Sequence, residues 1–201
     1  MRRTDLNRAL ILGVLLLVAL GAAACRPHEF AGTVLDPVKV LNDVELPATD
    51  GSTFRLGGEH DRLVLVFFGY TFCPDICPTT MLEARRAMEA LGDDADEVQL
   101  VMVTVDPARD TPERLHEYVT NFHPSFLGLR TTDLDELDAI LADFGAYYEI
   151  EELGSGGGEN YLVTHTAALF LLDRRGDLRE VFTYGASGEE IAADIRQFLR
   201  E

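Results

Sequence analysis

Residues 63–68 (Leu-Val-Leu-Val-Phe-Phe) form an unbroken apolar run that stops at Gly69, and the segment Gly-Tyr-Thr-Phe-Cys-Pro-Asp-Ile-Cys-Pro begins there. A short run without polar alternation marks a strand covered on both faces, the position of a central strand in an α/β sheet. A sharp turn and a helix must follow it. Pro78 is tolerated in a first helical turn, because the N–H it lacks would have had no partner there. The pattern then predicts a helix over about residues 79–91. Cys73 and Cys77 therefore fall where a central strand ends and a helix begins.

The rest of the chain alternates in the same way. Residues 44–56 predict a short hairpin that turns at Asp50-Gly51, a strong turn dipeptide. Residues 98–105 are a second buried strand. Thr111-Pro112-Glu113 opens a helix to about Phe122, with Leu115, Tyr118, Val119 and Phe122 at helical spacing. Asp133 with Glu136 predicts the start of a helix ending near Phe144, and Ser187 with Glu190 the start of the last helix. Between these two helices, residues 147–150, 160–163, 167–172 and 180–184 are strand-like, with a turn at 174–177 containing Gly176. Residues 154–158 (Gly-Ser-Gly-Gly-Gly) read as a flexible loop tip. Strand–helix–strand–helix followed by a hairpin and a terminal helix is the order of a thioredoxin-like α/β fold. The expectation is a central mixed sheet flanked by helices, with the 44–56 hairpin as an N-terminal extension.

The N-terminus reads as an export segment. Arg2, Arg3 and Arg8 precede an apolar run, residues 9–20, which leads through Gly21 and three alanines to Cys25. The run is short of the roughly 20 residues a membrane span needs, and it has the tripartite form of a secretory signal. Small residues ending in Cys also resemble the lipobox of bacterial lipoproteins, although Ala22 stands where that box usually has Leu. Residues 1–24 are thus expected to be a signal, and Cys25 a lipidation site, with an uncleaved signal anchor as the alternative. Residues 25–42 read as a tether and 43–201 as the domain. Either arrangement places the domain at a membrane, on the extracytoplasmic side. A formal charge of −18 excludes nucleic acid as a partner, since phosphate backbones require clustered Lys and Arg.

The chain has three cysteines. With Cys25 lipidated, Cys73 and Cys77 are the only thiols of the domain, in a compartment that permits oxidation. A disulfide between them would close too small a loop to brace the fold, so chemistry is the better explanation. A helix N-terminus presents free N–H groups and a positive dipole end, which lower a thiol pKa. C-x-x-C is the usual dithiol redox spacing at such a place, whereas this pair is C-x-x-x-C. The wider bite is compatible with a disulfide. It also suits two thiolates on one metal ion, where soft sulfur favours Cu(I) and an added imidazole gives a set that accepts either copper oxidation state.

Residues 69–80 (G-Y-T-F-C-P-D-I-C-P-T-T) closely resemble the signature of the Sco/SenC family, thioredoxin-fold copper proteins that assist assembly of the binuclear copper centre of cytochrome c oxidase. Residues 104–112 (T-V-D-P-A-R-D-T-P) and 161–173 (Y-L-V-T-H-T-A-A-L-F-L-L-D) match in the same order, and the resemblance covers roughly residues 40–200. It implies copper, as Cu(I) or Cu(II), held by Cys73, Cys77 and His165. It also implies a metallochaperone acting on the copper-site subunit of the oxidase, subunit II, with other periplasmic copper carriers or thiol reductants as further partners. The alternative is a thiol–disulfide oxidoreductase that reduces the cysteines of that copper site through a Cys73–Cys77 disulfide. A peroxidase of the peroxiredoxin kind centres on one peroxidatic Cys and does not fit the pattern. The family commonly has Asp just before the ligand His, where this chain has Thr164, so the charge close to that ligand is expected to differ.

Other candidates have blander explanations. His28, His60, His116 and His123 stand apart from any cysteine and read as surface histidines. Met81 and Met88 recur at helical spacing and read as core filler. Asp110 is expected to serve a turn or cap, Asp106 is open between a structural and a site role, and Asp75 is expected to face solvent. Tyr70 and Phe72 are expected to shield the site.

Overall fold

The computed structural model describes residues 28–152 and 161–201. Its main sheet has six strands in the order β1 (Thr33–Lys39), β10 (Leu178–Thr183), β9 (Ala168–Leu172), β4 (Leu63–Gly69), β5 (Val98–Thr104) and β6 (Leu127–Leu129). The buried run is β4, Leu63–Gly69, and every residue of it is buried. It pairs in parallel with β5, Val98–Thr104, from Leu63 opposite Val98 to Gly69 opposite Thr104. On its other side it pairs antiparallel with β9, Ala168–Leu172, which pairs antiparallel with β10, Leu178–Thr183. The sheet is therefore mixed, and its centre has the thioredoxin-like order that the sequence pattern predicts.

Helix α1 spans Ile76–Leu91, α2 Pro112–Phe122, α3 Leu134–Phe144 and α4 Gly188–Phe198. Helix α3 covers the sheet face that carries Phe68 and Phe170, whose rings meet Phe144 edge-on at 5.1 and 5.3 Å. Helices α1 and α4 pack on each other. The contact is close enough that a Cβ on Gly188 would lie 2.4 Å from the Cβ of Arg86, so only glycine fits there. The two predicted caps are present: Asp133 accepts from the N–H groups of Asp135 and Glu136, and Ser187 with Glu190 makes a full capping box. Helix α2 is capped by Thr111, which accepts from the Arg114 N–H, and not by Asp110.

The N-terminal hairpin joins β2, Val44–Pro47, to β3, Thr53–Leu56, around the Asp50-Gly51 turn. It docks on the edge strand β6, Leu127–Leu129, through Thr49 N–H to Gly128 O at 2.9 Å and Arg130 N–H to Pro47 O at 3.2 Å. Covering that edge removes a row of backbone groups open to unwanted pairing. A second small sheet pairs β7, Tyr148–Glu152, with β8, Tyr161–His165.

Three sequence expectations differ from this picture. Residues 33–39 fall in the stretch read as a tether, yet they form β1, Thr33–Lys39, antiparallel to β10. Strand β6 was not anticipated. Helix α1 begins at Ile76 rather than near 79, because proline is acceptable at any position of a first turn and Pro78 does not say which one it holds. The signal, Cys25 and the glycine-rich loop tip at 154–158 lie outside the described residues. Among the described residues, no helix is long and apolar enough to cross a membrane.

Candidate metal centre

Strand β4 delivers the chain to the carboxyl edge of the sheet, where open α/β folds present their sites. The turn from Tyr70 to Asp75 then feeds α1, which places Cys77 in the helix's first turn and Cys73 just before it. The N-cap residue Asp75 makes no side-chain capping bond. One of the free N–H groups goes to sulfur instead: Cys77 N–H donates to Cys73 Sγ at 3.4 Å. Below the turn, a Cβ on Gly69 would lie 3.1 Å from Cys77 Sγ and 2.6 Å from a Phe67 ring carbon. The absence of a side chain at 69 is what lets Cys77 seat against the end of β4.

Asp110 holds the turn from behind. It has no exposure and accepts from Thr71 N–H at 3.1 Å, Thr71 Oγ1 at 2.6 Å and Thr104 Oγ1 at 2.6 Å. Burial raises its pKa, and those three donors pull the other way. Its structural role is as expected, although it ties down the cysteine turn rather than capping α2.

His165 comes from the far end of β8, and its Nε2 lies 3.2 Å from Cys77 Sγ. Its Nδ1 donates to Thr166 O at 3.2 Å. In the neutral ring, that bond leaves the Nε2 lone pair facing the sulfurs, the orientation a metal ligand needs. The rings of Phe67 and Tyr70 meet the imidazole edge-on at 5.9 and 5.8 Å, and Val163 N–H donates to the Tyr70 hydroxyl at 3.3 Å. Tyr70 is buried beneath the site, whereas Phe72 is largely exposed beside it.

The ligand atoms of Cys73, Cys77 and His165 all lie within 4.8 Å of one another. Among the described residues this is the one group of His, Cys, Asp or Glu compact enough to hold an ion. Cys77 and His165 are buried and Cys73 is half-buried. The two thiols are driven apart in acidity. Cys73 is pulled down to about 3, first by the hydrogen bond from the Cys77 thiol and then by the N–H groups of Asp75 and Cys77, against the opposing effect of burial. Cys77 is pushed well above the thiol range by burial and by the bond and negative charge of Cys73. The pair is thus a thiolate beside a thiol. Two sulfurs and one imidazole nitrogen make a soft three-donor set suited to copper, and a closed structural zinc site would require a fourth protein ligand.

The other candidates lie elsewhere. Met81 and Met88 are core residues, and Asp75 is exposed. His116 is exposed and His123 is bonded to Ser125. Three of the histidines expected at the surface, His28, His60 and His123, are half-buried. His60 stacks on Phe54, and His28 meets the buried Asp194 at 2.5 Å. Thr164 is exposed on the outer face of β8, as strand alternation requires next to an inward His165, and its hydroxyl donates to Glu151 at 3.2 Å. A carboxylate at 164 would therefore change the outer face of the hairpin and not the ligand set.

Asp106 is buried and lies within a cluster that the sequence did not disclose. It accepts from Arg109 Nε at 2.5 Å and from the Tyr161 hydroxyl at 2.6 Å. Burial and the Asp106 carboxylate push the Tyr161 phenol up to about 12, so the phenol stays a donor. The available signal was the position of Tyr161, four residues before His165 on the same strand face.

A family model described as SCO1/SenC matches residues 35–200. The SCO2-like protein RP587 of Rickettsia prowazekii is 33% identical over 156 residues, covering 78% of this chain and 75% of that protein. Apo Sco1 from Thermus thermophilus superposes with a TM-score of 0.75 at 36% identity, covering 86% of this chain and 99% of that one. Copper-bound ScoI of Bradyrhizobium japonicum superposes at 0.68 with 33% identity, covering 79% and 99%.

Proposed function

The chain belongs to the SCO1/SenC family, and from that membership we propose that it is a metallochaperone that takes up copper on Cys73, Cys77 and His165 and delivers it to the binuclear copper site of cytochrome c oxidase. The observation that carries this reading is the convergence of three soft donor atoms within 4.8 Å, although His165 stands 88 positions from Cys77. Copper bound to the family member from Bradyrhizobium japonicum supports the choice of metal.

The chain's own residues account for uptake and release. Cys73 offers a thiolate that is formed before any metal arrives and is half-exposed at the edge of the sheet, so it is the entry ligand. Cys77 is buried, and it surrenders its proton when it becomes the second ligand. His165 completes the set with its orientation already fixed by Thr166. Release reverses the order, with an acceptor's ligands replacing the outermost sulfur first. The acceptor is the oxidase copper-site subunit. The domain works from the extracytoplasmic face of a membrane, held there by the N-terminal segment with Cys25 as its lipid attachment point. Anaerobic titration of the reduced domain with Cu(I) tests the reading. One equivalent should bind, and His165→Ala should bind more weakly; absence of a stoichiometric complex, or equal affinity in the variant, refutes it.

The asymmetric acidity of the pair favours a second reading, a dithiol reductant of the oxidase copper-site cysteines. The Cys73 thiolate would attack the partner's disulfide, forming a mixed disulfide and expelling one partner thiolate. Cys77, losing its proton, would then attack Cys73 Sγ, close the Cys73–Cys77 bond and release the second partner thiol with two electrons transferred. Reduction of an oxidised copper-site peptide that is unimpaired in His165→Ala supports this reading, and loss of reduction in that variant counts against it.

A further inference from the structure

The T-V-D-P-A-R-D-T-P stretch follows β5, on neither element that carries a ligand, yet one of its side chains touches both. The Arg109 guanidinium lies 3.6 Å from the centroid of the Tyr161 ring, on the strand of His165, and 4.9 Å from that of Phe72, the neighbour of Cys73. Its Nη1 also donates to the Tyr161 carbonyl at 2.9 Å. The guanidinium is fixed in turn by Asp106, whose other oxygen accepts from the Tyr161 hydroxyl. Both partners of the Arg109–Asp106 pair are buried, with side-chain exposures of 6% and 1%.

His165 needs such a device. It sits on the β7–β8 hairpin, which is not part of the six-stranded sheet that positions the cysteines. Tyr161, Val163 and His165 share the inward face of β8, and each is tied to the body of the domain: Tyr161 by Asp106 and Arg109, Val163 by the Tyr70 hydroxyl, and His165 by the sulfurs themselves. With the first tie released, the ties that remain among the described residues are uncharged: the Val163–Tyr70 hydrogen bond, the edge-on contacts of His165 with Phe67 and Tyr70, and the ligand contact.

We propose that Arg109, held by Asp106, is the positioning residue of the metal centre: it clamps the His165 strand to the cysteine turn through Tyr161 and Phe72 and so sets the distance between imidazole and sulfurs. The inference rests on the three-ligand reading above. The clamp touches no ligand atom and acts through the placement of His165.

The test compares four proteins, each also made in a His165→Ala background: wild type, Tyr161→Phe, Arg109→Lys, and the paired change Arg109→Gln with Asp106→Asn, which leaves no buried charge without its partner. The paired change is expected to lower Cu(I) affinity by about 10- to 100-fold, the range for groups that orient a ligand. It should also weaken the nitrogen hyperfine signature of the Cu(II) form. Tyr161→Phe, which keeps the ring and loses only the hydroxyl, should fall between it and wild type. None of the changes should weaken binding further once His165 is alanine, because the clamp then has no ligand to place. In the copper-free protein, the Val163 amide should exchange faster, while Thr166, bonded to Tyr147 across the base of the hairpin, should be little affected. Equal losses in both backgrounds, or wild-type affinity with an unchanged nitrogen signature, overturn the proposal. Should the paired variant fail to fold, Tyr161→Phe decides by the same criteria. A wild type that binds no copper refutes the function and not the clamp, which the Val163 exchange rate then judges alone.

Discussion

Binding of Cu(I) should expel one proton from the cysteine pair, not two. Cys73 is held at about 3 and Cys77 well above the thiol range, so between pH 5 and 8 the pair carries a single proton, on Cys77. Coordination by both sulfurs displaces it. Affinity must therefore rise with pH, by about tenfold per unit, or about 1.4 kcal/mol. From pH 6 to 8 the gain is about a hundredfold; two ordinary thiols, each with a reference pKa of about 8.5, would give about ten-thousandfold. The measurement is a competition titration against a Cu(I) chelator at several pH values, anaerobically, with the chelator's own protonation subtracted. His165→Ala is run in parallel so that its slope reports the sulfurs alone. A proton count in weakly buffered solution should return one per copper. A slope near two in the His165→Ala series would show that Cys73 is an ordinary thiol, and a slope near zero that Cys77 is ionised too. Either result refutes the account of the pair.

Iodoacetamide at pH 6 should modify Cys73 and spare Cys77, which has no exposure, and bound copper should protect Cys73; intact-mass analysis showing two adducts at equal rates would contradict this. Gly69→Ala should lower stability by about 1–3 kcal/mol, the usual cost of overpacking, and weaken copper binding as well, since the new methyl meets Cys77 Sγ and the Phe67 ring; denaturant midpoints together with the Cu(I) titration check both effects. Burial and the neighbouring Asp194 push Glu180 up to about 8. Folded protein then binds more protons than unfolded protein between the ordinary Glu value and about 8, so stability should fall as pH rises through that window and level off above it, by at most about 1.4 kcal/mol per pH unit. Glu180→Gln should remove that slope, and identical pH profiles of urea denaturation for the two proteins would refute the assignment.

What the sequence disclosed was what neighbours in the chain decide. The Asp50-Gly51 hairpin, the Asp133 cap and the Ser187–Glu190 box each depend on residues within a few positions, and each formed as expected. The Cys73–Cys77 junction was legible for the same reason, since strand end, turn and helix start are contiguous. Strands β1 and β6 were not, because their partners define them. β1 pairs only along one edge and contains Asp36 and Pro37, while β6 is three residues long with Gly128 at its centre, chosen so that Leu115 and Thr49 can approach. His165 occupied a middle position. No periodicity singled it out, and its assignment came from resemblance. The hairpin brings it to the sulfurs through Tyr70, Thr166 and the Arg109 cluster, all non-local contacts apart from Thr166.

The two functional readings are coupled, because copper and a Cys73–Cys77 disulfide compete for the same two sulfurs. A metal that binds only the dithiol stabilises it against oxidation by the free energy of binding, about 4.1 kcal/mol when free copper stands a thousandfold above the dissociation constant. For a two-electron couple this raises the reduction potential of the Cys73–Cys77 disulfide by about 90 mV. The loaded pair is therefore protected, and the pair that has just given up its metal is a thiolate beside a thiol, half-exposed and again open to thiol–disulfide exchange. On this reasoning delivery and reduction are successive states of one site. On the three-ligand proposal His165 distinguishes them, since it would strengthen the metal-bound state and contributes no sulfur to the disulfide.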